Sequence, residues 1–200
     1  MDMKNISKEL FAGSAISIGL YCSLTTLSKT NHPFLSALMF YVGLALILIT
    51  KSRLFTGCVY TLHSQNNYIH QLFQIYIFNF IGAIVTTLLL FTSIGVLDIN
   101  NIVLQRINSN PIYLILGGII TNILVCSSVY SYKNNNLFYS CLFIMSFVLI
   151  GTPHIVADFS SMTFGLYQGL CSIYEYITVI ISVTIGNVIG GLLFYRIINY

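Results

Sequence analysis

Charged side chains are scarce in this sequence. Lys, Arg, Asp and Glu make up 6% of its 200 residues, whereas a soluble domain carries about 25% charged residues. The mean hydropathy is +0.87, and no stretch is polar enough to form a separate soluble domain. The composition therefore predicts one domain, residues 1–200, embedded in a lipid bilayer.

Several site patterns are missing as well. The five cysteines form no C-x-x-C pair, so they fit neither a disulfide framework nor a zinc site, and we interpret them as small core residues. The net charge of +3 is dispersed and gives no basic stripe of the kind that nucleic-acid binding requires. No H-E-x-x-H or G-x-S-x-G motif occurs. We therefore expect no enzymatic activity, no metal, no cofactor and no nucleic-acid partner.

Long apolar runs dominate what is present. Runs of roughly 20 apolar residues can span a bilayer as helices. An even number of spans places both termini on one face of the membrane. Hydropathy gives six segments, which are Phe11–Leu27, Phe34–Leu62, Ile69–Val96, Ile112–Tyr132, Leu137–Phe164 and Ile173–Ile198.

The basic residues are unevenly divided between the two faces. Four of them, Lys4, Lys8, Lys133 and Arg196, fall on the face of the termini, while Lys29 and Arg106 fall on the other. By the positive-inside rule this distribution favours cytoplasmic termini. We expect a multi-pass protein of the plasma membrane.

Two of the six segments are interrupted at a similar depth. "KSRLFTG" follows Phe34–Thr50 in the second segment, and "GTPH" follows Leu137–Ile150 in the fifth. "NFIGA" in the third segment is echoed by "NVIGG" in the sixth, and "AG" at 12–13 by "GG" at 117–118. The chain therefore divides into three plus three spans, and an odd number of spans per repeat makes the two repeats inverted. In such folds, broken helices at corresponding positions indicate the substrate path.

The stretch "GTPHIVAD" places a polar group at the second break. Gly151 and Pro153 interrupt the helix, and His154 supplies a titratable ring. Irregular backbone is tolerated within a membrane only where it lines a cavity or is buried in protein. A simple proline kink, with the histidine bonded to a neighbouring helix, is the alternative interpretation. The matching break in the other half favours a polar site.

Glycines recur at positions suited to close helix packing. Gly186 and Gly190 form a G-x-x-x-G pair, which permits two helices to approach closely. We expect the same packing role for Gly13, Gly82 and Gly118, and we expect Asn187 to bridge helices by hydrogen bonds.

Five motifs are spread along nearly the whole chain, namely "AGSAISIG" in the first segment, "LFTG" in the second, "GGIITNILVC" in the fourth, "GTPHIVAD" in the fifth and "GNVIGG" in the sixth. Together they resemble the formate/nitrite transporter family of small-anion channels. The resemblance implies an all-α, aquaporin-like protomer of six helices, with the second and fifth broken. It also implies a homopentamer in which each protomer has its own pore for small monovalent anions of the formate, nitrite or hydrosulfide class.

The resemblance also implies roles for individual residues. His154 corresponds to the family's central pore histidine, and Thr56 to the threonine that faces it. Hydrophobic rings close the pore on either side of this centre. The residues that match those rings are Phe40, Leu44, Leu54, Phe55 and Phe147.

The chain departs from the family pattern near the site. Thr152 and Pro153 replace the usual Phe-Glu before the histidine, Asp158 replaces an Asn four residues after it, and Cys58 replaces an Asn after "LFTG". A lysine that many members carry early in the fifth segment is replaced at about Ser140 or Cys141, and "KSR" stands where Gly-Ala-Asp is common. These departures affect the choice of substrate rather than the architecture.

The chemistry of these residues suits a small anion. An anion that sheds water in an apolar passage is stabilised by a hydrogen-bond or proton donor. The ordinary pKa of histidine, about 6.5, allows His154 to act in either way. Thr56 offers a hydroxyl that can turn toward His154 or toward the ligand.

The charges near the breaks are open to more than one interpretation. Lys51 and Arg53 are interfacial charges if the second span ends at Thr50, or vestibule charges if the segment re-enters. A carboxylate near the middle of a membrane costs about 2.5–3.5 kcal/mol, so we expect Asp158 to be paired or protonated. His154, Lys51 and Arg53 are the candidate partners.

Two other functions remain as alternatives. His154, Asp158, Glu175 and the cysteines are ingredients of an intramembrane hydrolase, although a catalytic zinc takes three protein ligands. A structural subunit of a membrane complex without transport activity is the second alternative.

Overall fold

The computed structural model describes residues 3–94 and 99–200, with the side chains of all of these except Lys4 and Phe91. Val96 of the predicted third segment lies outside this part. The described part is all helical. Its helices are α1 (Met3–Thr30), α2 (Pro33–Thr50), α3 (Phe55–Thr61), α4 (Tyr68–Ile94), α5 (Asn100–Ile107), α6 (Pro111–Lys133), α7 (Leu137–Ile150), α8 (Ile155–Tyr167) and α9 (Ile173–Ile198).

The predicted spans correspond to these helices. Five of them, α1, α2, α4, α6 and α9, are each long and apolar enough to cross a membrane, and α7 with α8 forms a sixth span bent by 40°. The second span continues from α2 into α3 after a break at residues 51–54. Six spans with the second and fifth broken are therefore confirmed.

The two breaks have the same backbone design. Lys51 and Gly151 end α2 and α7 in the left-handed region, with φ of 54° and 78°. Leu54 and His154 are extended and precede the next helix of each pair. Residues 51–55 therefore correspond to residues 151–155, although only Gly151 suits the left-handed conformation without strain.

An asparagine from the third span of each repeat, which is α4 or α9, holds the break in place. Asn79 Oδ1 accepts the backbone N–H of Phe55 at 2.9 Å, and its Nδ2 donates to the backbone carbonyls of Glu9 and Arg53. Asn187 Oδ1 accepts from Ile155 N at 2.9 Å, and its Nδ2 donates to the carbonyls of Gly118 and Pro153. Asn187 thus bonds both α6 and the second break, with Asn79 as its counterpart at the first.

The helix contacts show that the repeats are inverted. Within each repeat the first and third spans run parallel. Asn79 bonds the carbonyl of Glu9 and Ser17 bonds that of Ala83, and Ile115 and Ile119 lie beside Gly186 and Gly190 in the same order. The end of α9 meets the link before α4 through the hydrogen bond between Ser64 and Tyr195. The α9 helix thus ends on the face where α4 begins. The third spans of the two repeats therefore cross the membrane in opposite directions, as inverted repeats require.

One detail of the predicted repeat is wrong. The two asparagines bond the carbonyls of Glu9 and Gly118, which makes these two residues equivalent. The match between "AG" at 12–13 and "GG" at 117–118 is therefore out of register by several residues. Small residues pack interchangeably along a helix and do not fix its register.

Close helix packing accounts for the predicted glycines. An added Cβ on Gly13 would overlap the backbone of Asn79, and one on Gly82 the carbonyl of Leu10. The other three glycines, Gly118, Gly186 and Gly190, are confined in the same way between α6 and α9. These contacts bring the polar breaks of both repeats together in the core.

The short helix α5 was not predicted. Its sequence, Asn100–Ile107, falls in a link between apolar segments, yet Val103 and Arg106 are buried. Apolar residues at 99, 102, 103 and 107 follow a helical spacing that indicates a buried face. This helix brings a cation to the core.

We expect Gly82→Ala to destabilise the protein, because the new methyl group meets backbone rather than a flexible side chain. Overpacking of this kind costs about 1–3 kcal/mol, and the midpoint of thermal unfolding in detergent measures it. Gly57→Ala is the matched control, since its nearest new neighbour is a Val129 methyl group at 3.4 Å. Equal midpoints for the two variants would show that α1 and α4 have room to separate.

Candidate functional site

Two cavities enter the protein from opposite ends. The first, which we call the Arg106 cavity, has a volume of about 220 Å³ and lies where α1 ends and α2 begins. The second, the Lys51 cavity, has a volume of about 440 Å³ and lies where α6 ends. Side chains that line the Arg106 cavity include Leu27, Pro33, Gln105, Arg106, Asp158 and Ser161. Those that line the Lys51 cavity include Lys51, Arg53, Thr61, Leu62, Tyr132 and Lys133.

A layer of buried side chains, which we call the septum, lies between the two cavities. Phe40 on α2 lines the Arg106 cavity, and Leu44, one helical turn later, lines the Lys51 cavity. One face of α2 thus passes from one cavity to the other. The septum consists of Phe40, Leu44, Leu54, Thr56, Phe147 and His154, all at most 4% exposed.

The polar centre of the septum is a hydrogen bond between the two broken helices. Thr56 Oγ1 lies 3.1 Å from His154 Nε2. His154 Nδ1 accepts the backbone N–H of Ala157 at 3.3 Å, so the side chain also caps α8. In a neutral imidazole one nitrogen accepts and the other donates. Because Nδ1 accepts here, Nε2 carries the N–H group, which donates a hydrogen bond to Thr56 Oγ1.

Aromatic rings lie beside this centre on the side of the Arg106 cavity. The rings of Phe40 and Phe147 meet edge to face, with centroids 5.6 Å apart. The Phe147 ring also lies 5.6 Å from the His154 ring. Both rings line the Arg106 cavity together with His154, so they border the approach to the histidine from this side. On the other side Leu44 and Leu54 line the Lys51 cavity.

Phe55 packs toward α4 rather than toward His154. Its ring packs against Tyr76 with centroids 4.9 Å apart, and Tyr76 in turn contacts Phe159. Of the described residues that line the two cavities, none is Phe55. The predicted place of Phe55 in a pore ring stays a prediction. Successive residues of a helix are about 100° apart, so Phe55 faces α4 while its neighbour Thr56 faces His154.

The partner of Asp158 is Arg106, which was not among the predicted candidates. Arg106 Nε donates to Asp158 Oδ1 at 3.2 Å, and its Nη1 donates to the carbonyl of Gly151 at 3.1 Å. Asp158 also accepts a weaker bond from Ser161 at 3.4 Å. His154, Lys51 and Arg53 are therefore not its partners. Arg106 was missed because α5 lies outside the apolar segments.

Arg53 and Lys51 lie at the second cavity. Arg53 Nη1 donates to Glu9 Oε1 at 3.1 Å, and Nη2 donates to Gln71 at 2.7 Å. Glu9 is fully buried and also accepts from Gln74. Lys51 is exposed on the cavity wall. The segment after Thr50 thus continues into α3, as the second interpretation required, and Glu9 is a further partner that the sequence did not indicate.

Comparison with known proteins identifies the family of the chain and supports its fold. The family model described as formate/nitrite transporter matches residues 3–200. No curated protein matches the chain significantly.

Two solved structures resemble the chain closely in fold. One is described as a pentameric formate channel with formate bound, with a TM-score of 0.85 at 19% identity over 98% of this chain and 95% of the other. Another, described as an FNT family ion channel, gives a TM-score of 0.88 at 19% identity over 98% of this chain and 89% of the other. At this identity the two structures establish the fold, and the family model covers almost every residue. The chain belongs to the formate/nitrite transporter family.

Proposed function

We propose that the protein is a channel for small monovalent anions of the formate, nitrite or hydrosulfide class. The observation that carries the proposal is the septum, where two cavities from opposite ends approach one buried pair of hydrogen-bonding side chains, Thr56 and His154. Membership of the formate/nitrite transporter family supports it. A similar structure described as having formate bound agrees with this class of substrate.

In the proposed mechanism an anion sheds water in the septum and accepts hydrogen bonds there. The Nε2–H of His154, now directed at Thr56, turns toward the anion, and the Thr56 hydroxyl supplies a second donor. Hydrogen bonds to charged groups are stronger than those between neutral groups and offset part of the lost hydration. His154 acts as a neutral donor, because protonation of Nδ1 would remove the acceptor that Ala157 N–H uses.

The Arg106–Asp158 pair has a structural part in this mechanism. It ties α5 to α8 across the wall of the Arg106 cavity, and Arg106 also holds the carbonyl at the break. An unpaired carboxylate on this wall would repel anions. The ion pair therefore keeps this entrance electrically neutral close to His154.

We further propose that the protein assembles as a homopentamer with its termini in the cytoplasm. The pentamer is supported by the similar structure described as pentameric. The orientation is supported by the basic residues on the face of the termini, such as Lys133 at the end of α6 and Arg196 near the end of α9. On this orientation the Lys51 cavity opens to the cytoplasm of the cell.

His154→Phe should reduce formate flux into liposomes by roughly tenfold or more, since a hydrogen bond to a charged group contributes about 1.5–3 kcal/mol. Because His154 acts as a neutral donor, this loss should be similar at every pH between 5 and 8, a range around the ordinary histidine pKa of about 6.5. Flux is measured per folded assembly, with nitrite, hydrosulfide, acetate, lactate and a neutral solute as competitors.

The exposed His70 provides the matched control for that measurement. His70→Phe should conduct like the parent, and Thr56→Val should fall between the parent and His154→Phe. Flux curves for His154→Phe that coincide with those of the parent would remove His154 from the mechanism. A preference for the neutral solute would end the anion assignment.

Arg106→Gln should lower the free energy of unfolding by about 3–5 kcal/mol, because it leaves the buried Asp158 carboxylate without its cation. Asp158→Asn added to the same chain should recover most of that loss. Thermal unfolding in detergent measures both, with the exposed Lys29→Gln as control. The pairing argument does not survive if the double variant is no more stable than Arg106→Gln.

Native mass spectrometry of the detergent-solubilised protein should give a species of five times the 22.4 kDa chain mass. Mild detergents preserve such assemblies, and the gas-phase mass reports their stoichiometry directly. Spectra that contain only monomers or dimers across several detergents would contradict the pentamer.

A further inference from the structure

The two cavities differ in charge. The Lys51 cavity is lined by three cations, Lys51, Arg53 and Lys133, and by no acidic residue of the described part. The Arg106 cavity is lined by one cation and one carboxylate, which form an ion pair. An anion therefore meets a net positive field on only one side of the septum.

The three cations are placed by different elements of the fold. Lys51 is the left-handed residue that ends α2. Lys133 is the last residue of α6, and its Nζ lies 5.5 Å from the centroid of the Tyr60 ring. Both repeats thus contribute charge to the same cavity.

Arg53 is the fixed member of this set. Its guanidinium is held by Glu9 and Gln71, and its backbone carbonyl accepts from Asn79. Glu9 neutralises one of the three charges, and Lys51 and Lys133 have no ion pair within the described residues. The cavity therefore keeps a positive charge of about two units beside Leu54.

The orientation rule alone does not explain this placement. A positive-inside bias requires basic residues on one face of the membrane, wherever they lie on that face. Here three of them line the cavity that ends at the septum. Low-dielectric walls around like charges concentrate counter-ions within a cleft and accelerate their association by roughly 10- to 1000-fold.

We propose that the Lys51 cavity is an anion-collecting site, which holds a small monovalent anion in front of Leu44 and Leu54 and makes entry from this face faster than entry from the other. The proposal rests on the proposed function for its transport consequence. The charge of the cavity itself can be measured without transport. The two parts therefore have separate tests.

The first test compares the electrostatic potential in the two cavities by thiol modification. Thr61→Cys and Ile102→Cys place single half-buried thiols in the Lys51 and Arg106 cavities, in a Cys58→Ser background that removes a native thiol from the first. Each is reacted at low salt with an anionic and a cationic methanethiosulfonate of similar size. The ratio of the anionic to the cationic rate should be at least roughly tenfold higher at position 61 than at position 102.

Removal of the charges should abolish this difference. Lys51→Asn with Lys133→Gln should lower the ratio at position 61 by roughly tenfold and leave the ratio at position 102 unchanged. Asparagine is chosen at 51 because it tolerates the left-handed conformation. Equal ratios at the two positions would overturn the proposal, and so would a ratio at position 61 that is the same in the parent and in the double variant.

The second test measures one-sided formate flux through oriented protein in a planar bilayer. At low ionic strength the formate concentration that gives half-maximal flux should be several-fold lower for entry from the Lys51 side than for entry from the opposite side, because faster entry saturates the path sooner. This difference should vanish in 1 M salt, where the screening length is about 3 Å, and in the double variant. Equal half-saturating concentrations from the two sides of the parent would refute the collecting site and leave the channel function intact. Absence of flux would refute the channel function, while the thiol ratios would still report the charge of the cavity.

Discussion

The backbone at the two helix breaks must be satisfied by the protein itself, and the rest of the structure depends on this requirement. Lipid supplies no hydrogen bonds, so each free N–H or carbonyl within the membrane needs an internal partner. Asn79 and Asn187 provide partners on both sides of the breaks with a single amide each. They thereby fix the start of α3 and of α8, and so the positions of Thr56 and His154.

The repeats share this frame and differ in the side chains mounted on it. His154 corresponds to Leu54, so only the second repeat offers a ring nitrogen at the septum, and Thr56 from the first repeat meets it across the pseudo-two-fold axis. Lys51 corresponds to Gly151, so the charge lies on one side only. Polarity and charge are therefore asymmetric within a nearly symmetric backbone. We regard this asymmetry as the basis of the proposed function.

Hydropathy and the two breaks were enough to predict the architecture from the sequence, because the bilayer restricts spanning segments to long apolar helices. Contacts between helices that are distant in the sequence were harder to predict. The link that holds Arg106 is too polar to resemble a span, so its buried pair with Asp158 was missed. The packing of Phe55 against Tyr76 was not foreseen, because a motif gives the order of residues and not the direction in which each side chain of a helix points. The roles of the remaining septum residues stay predictions.

The asparagine bonds also restrict how the molecule can move. A break that acted as a hinge would have to give up the bonds from Asn79 to Phe55 N–H and to the Arg53 carbonyl, at about 1–3 kcal/mol for each buried group left without a partner. Rocking of whole helices also proceeds slowly, in microseconds to milliseconds, whereas side-chain rotation is far faster where packing allows it. Movement of septum side chains such as the Phe40 and Phe147 rings avoids both the energetic cost and the delay. The clamped breaks therefore favour a rigid backbone in which side chains, rather than helices, move.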